Sequence, residues 1–206
     1  MRARLLTALI VVGCCTLGGN AFGLGKFNDK LSVGDKAPAF EKLPAADGKQ
    51  YASSDFDKAK VLVVVFTCNS CPYAVDYEDR LIAFDKQHRG GDVALVAINC
   101  NLVEADSLEN MQARAEEKGF RFPYLFDKSQ NVARQYGALR TPECYVLDQD
   151  RKVVYMGAFD DNTKAELVKQ QYVAAAVEAA LKKQTTEVAE TPPVGCLIRF
   201  KRTRRE

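Results

Sequence analysis

One stretch constrains this chain more than any other: Val61-Leu-Val-Val-Val-Phe66, followed at once by Thr67-Cys68-Asn-Ser-Cys71-Pro72. Six apolar residues, mostly β-branched and without polar alternation, read as a strand covered on both faces. Downstream, Val75, Leu81, Ile82 and Phe84 share one side of a helix, with Asp76, Glu78, Asp79 and Arg80 mostly off it. The two cysteines therefore stand where strand gives way to helix. Cys68 is expected at the junction, with Cys71 in the first helical turn on the same side. Unpaired N–H groups and the positive end of the helix dipole favour a thiolate there. A fixed brace is the poorer use of such a pair, because so small a loop gains little from a cross-link. The arrangement is the one a redox dithiol requires.

The flanking chain supplies a sheet. Asp47-Gly48 between short apolar segments signals a hairpin. Gly90-Gly91 ends the first helix, and Val93 to Ile98 forms a second buried strand, so strand, helix and strand make a right-handed parallel unit. Both strands then end at one edge, which places Asn99, Cys100 and Asn101 close to the dithiol. A helix over about 105–118 is expected to begin near Asp106 or Ser107 and to stop at Gly119. Phe122 to Phe126 is extended, and Asp127 caps a helix running through Tyr136 to Gly137. Thr141-Pro142 then leads into a hairpin of Cys144–Leu147 and Val153–Gly157. A last helix spans about 164–183, with Leu167, Val168, Tyr172, Val173, Ala176, Val177, Ala180 and Leu181 on its apolar face. Thr185 to Pro193 is a polar, proline-bearing linker, after which Val194 to Phe200 is able to dock as an added strand.

The ends differ from the body. Residues 1–23 carry Arg2 and Arg4, an apolar run from Leu5 to Val12, and small residues at Ala21 and Gly23, the pattern of an export signal. Val11-Val12-Gly13-Cys14 offers a competing lipoprotein cleavage point that leaves Cys14 lipidated and the chain anchored to a membrane. Either route puts the protein outside the cytoplasm, in the periplasm or beyond. Residues 27–184 form the expected domain and 185–206 a linker with a basic tail. Without the signal and the last eight residues, 22 basic and 26 acidic groups remain, and so mildly acidic a body is no nucleic-acid platform. Of seven cysteines, five lie beyond residue 23, so at least one has no partner within the chain. Cys100 and Cys144 read as buried residues, with Cys100 also a candidate additional thiol at the sheet edge. Cys196, after a linker and a glycine, is able to reach back to that edge as a third thiol.

Gly34-Asp-Lys-Ala-Pro-Ala-Phe40, the strand into Cys68-x-x-Cys71, the stretch from Asp127 to Gly137, and Thr141-Pro142 before a hairpin together resemble the thioredoxin-like redoxins, over about residues 31–183. Cys71-Pro72-Tyr73-Ala74, Glu78-Asp79-Arg80-Leu81 and Pro193-Val194-Gly195-Cys196 are similar to a bacterial subgroup of exported redoxins. The resemblance implies an α/β thioredoxin fold, a mixed central sheet flanked by helices, with a redoxin-type N-terminal extension and a helical insertion. It implies a thiol-disulfide oxidoreductase without an organic cofactor, acting on protein thiols or disulfides and recharged by an upstream redox partner. Cys68 becomes the exposed attacking thiol, Cys71 the resolving one, Pro142 a cis-proline facing them, and Thr141 the backbone that pairs with a substrate strand.

This chain departs from thioredoxins in having Thr67 where they carry Trp before the first cysteine, and no acid in the preceding strand. The group assisting Cys71 is therefore not identified by the motif. A thiol peroxidase is the alternative activity, although neither Cys68 nor Cys71 carries the Pro-x-x-x-Thr-x-x-Cys pattern of peroxiredoxins. A metal-binding redoxin is the non-enzymatic alternative. It needs thiols beyond the CxxC, which supplies two of four ligands, and no resident metal is expected. His88, the single histidine, reads as a solvent-facing helix residue.

Overall fold

The computed structural model describes residues 25–202. The signal and lipoprotein readings, with Cys14, lie outside these residues, as do the last four positions of the basic tail. Val61–Phe66 forms the central strand of a five-stranded sheet. Numbering elements along the chain, Leu43–Pro44 (β1) and Gln50–Tyr51 (β2) make the expected hairpin around Asp47-Gly48, and Val61–Phe66 is β3. Helix α1 (Pro72–His88) leads to β4 (Val93–Asn99), and α2 (Leu108–Lys118) leads to β5 (Tyr124–Phe126). Then come α3 (Asn131–Tyr136), β6 (Arg140–Thr141), β7 (Glu143–Leu147), β8 (Val153–Gly157), α4 (Tyr172–Leu181) and β9 (Cys196–Leu197).

The strand order is β5-β4-β3-β7-β8, with β3, β4 and β5 parallel and β7 and β8 antiparallel. The twofold period of a strand divides β3 between two cores. Leu62, Val64 and Phe66 face a cluster with Phe40, Ala133, Tyr136 and Tyr145. Val61, Val63 and Val65 face the opposite cluster with Leu81 and Phe84 of α1, Met111 of α2, and Val173 and Val177 of α4. Every β3 residue is at most 1 % exposed, as a run without polar alternation demands.

Four helix starts differ from the sequence reading, one of them that of α3, which begins at Asn131 with Gln130 as its N-cap, although the Asp127 carboxylate still accepts the Ala133 N–H (3.0 Å). The last helix begins at Tyr172, not 164: residues 165–167 make only a short 3-10 turn, and Val168 is extended. The Asp161 carboxylate accepts the N–H groups of Lys169 and Gln170 (2.9 and 3.1 Å), which removes donors that a continuous helix would need. Leu167 is consequently 51 % exposed instead of facing the core. Helix α2 begins after Ser107, whose hydroxyl accepts the Asn110 N–H, while Glu104 to Asp106 forms a separate turn. Helix α1 begins at Pro72, so Cys71 is its N-cap residue and not part of its first turn. Proline favours the first helical position because its missing N–H is one that a helix start leaves unpaired anyway.

Residues 185–202 lie along the body. Glu190 bridges Met156 in parallel, the Thr191 hydroxyl accepts the Ala158 N–H, and β9 pairs antiparallel with β6. Among the described residues no helix is long and apolar enough to cross a membrane.

Phe66 packs edge-on against Tyr136 and Tyr145 at ring-centroid distances of 5.4 and 5.8 Å. Phe66→Ala should cost about 3–5 kcal/mol, read as a lowered urea midpoint at unchanged slope. A loss under about 1 kcal/mol would show that this face of β3 is not closely packed.

Candidate active site

The dithiol sits at the C-terminal end of β3, in a loop held by a carboxylate from another part of the chain. Asp106, fully buried, accepts the backbone N–H of Asn69 (2.7 Å) and of Ser70 (3.2 Å), the Ser70 hydroxyl (2.5 Å) and the Asn99 amide (3.1 Å). Asn69 adds a bond from its amide to the Ala105 carbonyl and accepts the Tyr124 hydroxyl. The two residues between the cysteines are thus fastened on both backbone and side chain. The acid missing from β3 has its nearest counterpart here, although Asp106 touches the loop and not either sulfur.

Opposite the loop, the Thr141–Pro142 bond is cis. Thr141 contacts both sulfurs: its hydroxyl lies 3.3 Å from Cys68 Sγ, and its carbonyl is 3.1 Å from Cys71 Sγ and accepts that thiol. Glu143, next in the chain, is buried and turned away, accepting the Leu139 and Arg140 N–H groups and the Tyr145 hydroxyl. Burial is the main reason its carboxyl is raised above the usual range.

The expectation of an exposed Cys68 is corrected. Cys68 and Cys71 are each 2 % exposed, and Thr141 and Pro142 are buried. The covering element is β9, which pairs with β6 in the register Thr141↔Cys196 and Arg140↔Leu197. The backbone assigned to a substrate strand is occupied by this chain's own C-terminal segment. Cys196, half-buried, packs with Cys68, Cys71 and Ala74 in one cluster.

The positions of the two thiols also reverse their electrostatics. Cys71 is the N-cap residue and makes no side-chain capping hydrogen bond, although the nearby Ala74 N–H favours its thiolate. The hydrogen bond from the Cys68 thiol is the largest influence and holds Cys71 well below the usual thiol range; burial opposes it, while the Cys196 thiol, the Ala74 N–H and Thr141 add to it. Like burial, the Thr141 carbonyl works the other way, since it accepts a thiol and repels a thiolate. Cys68 is pushed above its usual range by that same shared hydrogen bond, then by burial and the nearby Asp106 carboxylate, with the Thr141 and Ser70 hydroxyls partly offsetting. One helical turn after Cys71, where a helix-borne resolving thiol would stand, the chain has Ala74.

The other candidates separate cleanly. Cys100 is fully buried in the cluster with Ile98, Leu125 and Ile198, and burial pushes it to about 12. That cluster is distinct from the one holding the other three thiols. Cys144, opposite Val65 in the ladder, is raised well above the usual thiol range by burial. Glu78, near the motif in sequence, is paired with Arg114 and Lys118 away from the sulfurs. His88 packs on Phe84 at a centroid distance of 4.5 Å. Among the described residues no group of three or more His, Cys, Asp or Glu side chains is placed to hold a metal ion. Sequence reasoning located Asp106 only as a helix start. Its role in the loop carries no local signal, because Asp106 lies more than thirty residues downstream of the motif it fastens.

The AhpC/TSA family profile matches residues 33–156, and the chain belongs to that family. Its sheet order and flanking helices are those of the thioredoxin fold. A relative from Mycobacterium tuberculosis strain H37Rv, named as a peroxiredoxin, is 29 % identical over 141 residues, covering 61 % of this chain and 83 % of its own. The thiol-disulfide oxidoreductase ResA of Bacillus thuringiensis subsp. konkukian is 25 % identical over 186 residues, covering 88 % of this chain and 96 % of its own. A crystal structure of a Geobacillus kaustophilus protein is 34 % identical, with a TM-score of 0.79, covering 85 % of this chain and 96 % of its own. The class is that of redoxin-type oxidoreductases.

Removal of the Asp106 carboxylate leaves two backbone N–H groups and two side-chain donors without their acceptor. Asp106→Ala should lower stability by at least about 2 kcal/mol, and should raise the alkylation rate of Cys68 and Cys71 by freeing the loop. Unchanged stability and unchanged rates would remove Asp106 from the site.

Proposed function

We propose that this protein is an exported thiol-disulfide oxidoreductase that exchanges disulfides with protein substrates through Cys71 and Cys68. The observation that carries the reading is Thr141, whose hydroxyl and carbonyl reach the two sulfurs from beside a cis-proline. Family membership and the likeness to ResA support it. Export rests on the N-terminal pattern of arginines and apolar residues.

The geometry argues for roles opposite to those implied by the resemblance. Cys71, at the helix N-cap and lowered, is the attacking thiolate. It displaces one sulfur of a substrate disulfide, forming a mixed disulfide, and the displaced substrate sulfur leaves as a thiolate. Cys68, next to it, then attacks the Cys71 sulfur. The second substrate sulfur leaves, and Cys68–Cys71 is left oxidised. An upstream dithiol partner returns the pair to the reduced state.

Thiol peroxidase activity is a second reading, favoured by the AhpC/TSA match and the M. tuberculosis relative. Against it, Val65 and Cys68 stand where a peroxiredoxin has its threonine, three residues before the cysteine.

Cys71→Ser should abolish thiol-dependent reduction of an insulin disulfide. Cys68→Ser combined with Cys196→Ser, which removes the other thiol packed beside Cys71, should leave substrate covalently trapped on Cys71, visible as a band that collapses with dithiothreitol. Trapping that requires Cys68 and survives Cys71→Ser would overturn the assigned roles. Peroxide consumption exceeding disulfide reduction would favour the second reading.

A further inference from the structure

The C-terminal strand is held over the site by more than its ladder. Arg140 donates to the Gly195 carbonyl at 2.7 Å, and the Ile198 N–H reaches the Leu139 carbonyl at 2.9 Å. The Gln130 amide donates to the Arg199 carbonyl and accepts the Lys201 N–H, and Arg134 donates to the Lys201 carbonyl. Ile198 is buried in the main core cluster, and Phe200 lies under the Arg134 guanidinium, 4.4 Å from its ring centroid. Gly195 makes the close approach: a Cβ there would stand 2.0 Å from the Thr141 carbonyl oxygen. The segment therefore runs beside Thr141 and Pro142 in the place of a bound peptide strand, and the residue it presents is a cysteine.

We infer that Cys196 is a third redox thiol and β9 an internal substrate: the disulfide formed at Cys68–Cys71 is passed on to Cys71–Cys196. The inference rests on the dithiol reading above. The Cys196 thiolate attacks the Cys71 sulfur, the Cys71–Cys196 bond forms, and the Cys68–Cys71 bond breaks. Its electron pair leaves on Cys68, which takes up the proton that Cys196 gave up. One disulfide and one thiol enter and leave, so no further oxidant or reductant is needed.

Placement favours Cys71 as the sulfur attacked, because Cys196 packs in one cluster with it and pairs with Thr141, whose carbonyl meets Cys71 Sγ. In the reduced protein Cys196 is pushed up to about 11 by burial and by the hydrogen bond and charge of Cys71. The second and third of these causes vanish once Cys71 is in a disulfide, so Cys196 ionises more readily when its target exists. The transfer returns Cys68 to the reduced state and fastens β9 covalently across the site. An outside thiol partner then meets the Cys71–Cys196 bond, which lies nearer the surface than Cys68–Cys71.

The test is disulfide mapping of the full protein after brief diamide oxidation, with free thiols alkylated before tryptic digestion. Wild type should give a cross-linked pair joining peptide 61–80 to peptide 184–199. Cys68→Ser should give the same pair, which then contains only Cys71 and Cys196 as partners. Gly195→Ala, which forces β9 away from Thr141, should reduce the cross-link at least about tenfold while Cys68–Cys71 still forms. Wild type with Cys68–Cys71 alone, and no cross-link in Cys68→Ser, would overturn the inference and leave the dithiol reading standing. Absence of both disulfides would overturn both. A cross-link unaffected by Gly195→Ala would show that it forms from a detached tail, and would overturn the internal-substrate geometry.

Discussion

The buried Asp106 carboxylate is the constraint on which the site depends. It accepts two backbone N–H groups and a hydroxyl from the Asn69-Ser70 loop, and so sets where the chain turns between β3 and α1. A buried carboxylate is tolerated only when its oxygens are so engaged. With that turn fixed, helix α1 starts at Pro72, Cys71 caps it and Cys68 is left at the end of the strand. After the hydrogen bond shared with Cys71 and burial, the same carboxylate adds to what makes ionisation of Cys68 unfavourable. The partition of one proton between the two sulfurs follows first from the hydrogen bond they share.

Much of the fold was legible because apolar runs without alternation leave few options. Val61 to Phe66 had to be central, and Val93 to Ile98 had to lie beside it with α1 crossing between them. The cysteine cluster was harder to read. Pro72 carried a usable signal, since proline at the first helical position makes the preceding residue the cap. Taking Cys68 as the junction instead placed the helix start one turn too early. The short α4 was hidden for another reason: Asp161 captures the Lys169 and Gln170 N–H groups, a competition that the apolar period of Leu167 and Val168 does not reveal.

The family match ends at residue 156, whereas the strand that covers the dithiol lies at Cys196–Leu197. The dithiol and β3 to β7 belong to the matched stretch, while α4, which covers one face of β3, and the strand over the dithiol come from beyond it. Polarity and two prolines give residues 185–193 the composition of a linker, yet the segment is laid against β8 through Glu190 and Thr191. A linker by composition becomes a guide by placement and delivers Gly195 and Cys196 to Thr141.

The central claim is that the negative charge of the dithiol resides on Cys71. Thiolate absorbance near 240 nm, followed with pH on the fully reduced protein, tests it most directly. Wild type should show one thiolate titrating below about pH 7, in the range of helix-terminal cysteines. Cys71→Ser should remove that step. Cys68→Ala should move it upward without removing it, because the Cys68 hydrogen bond is the largest influence lowering Cys71. A low-pH step that survives Cys71→Ser and disappears with Cys68→Ala would contradict the account.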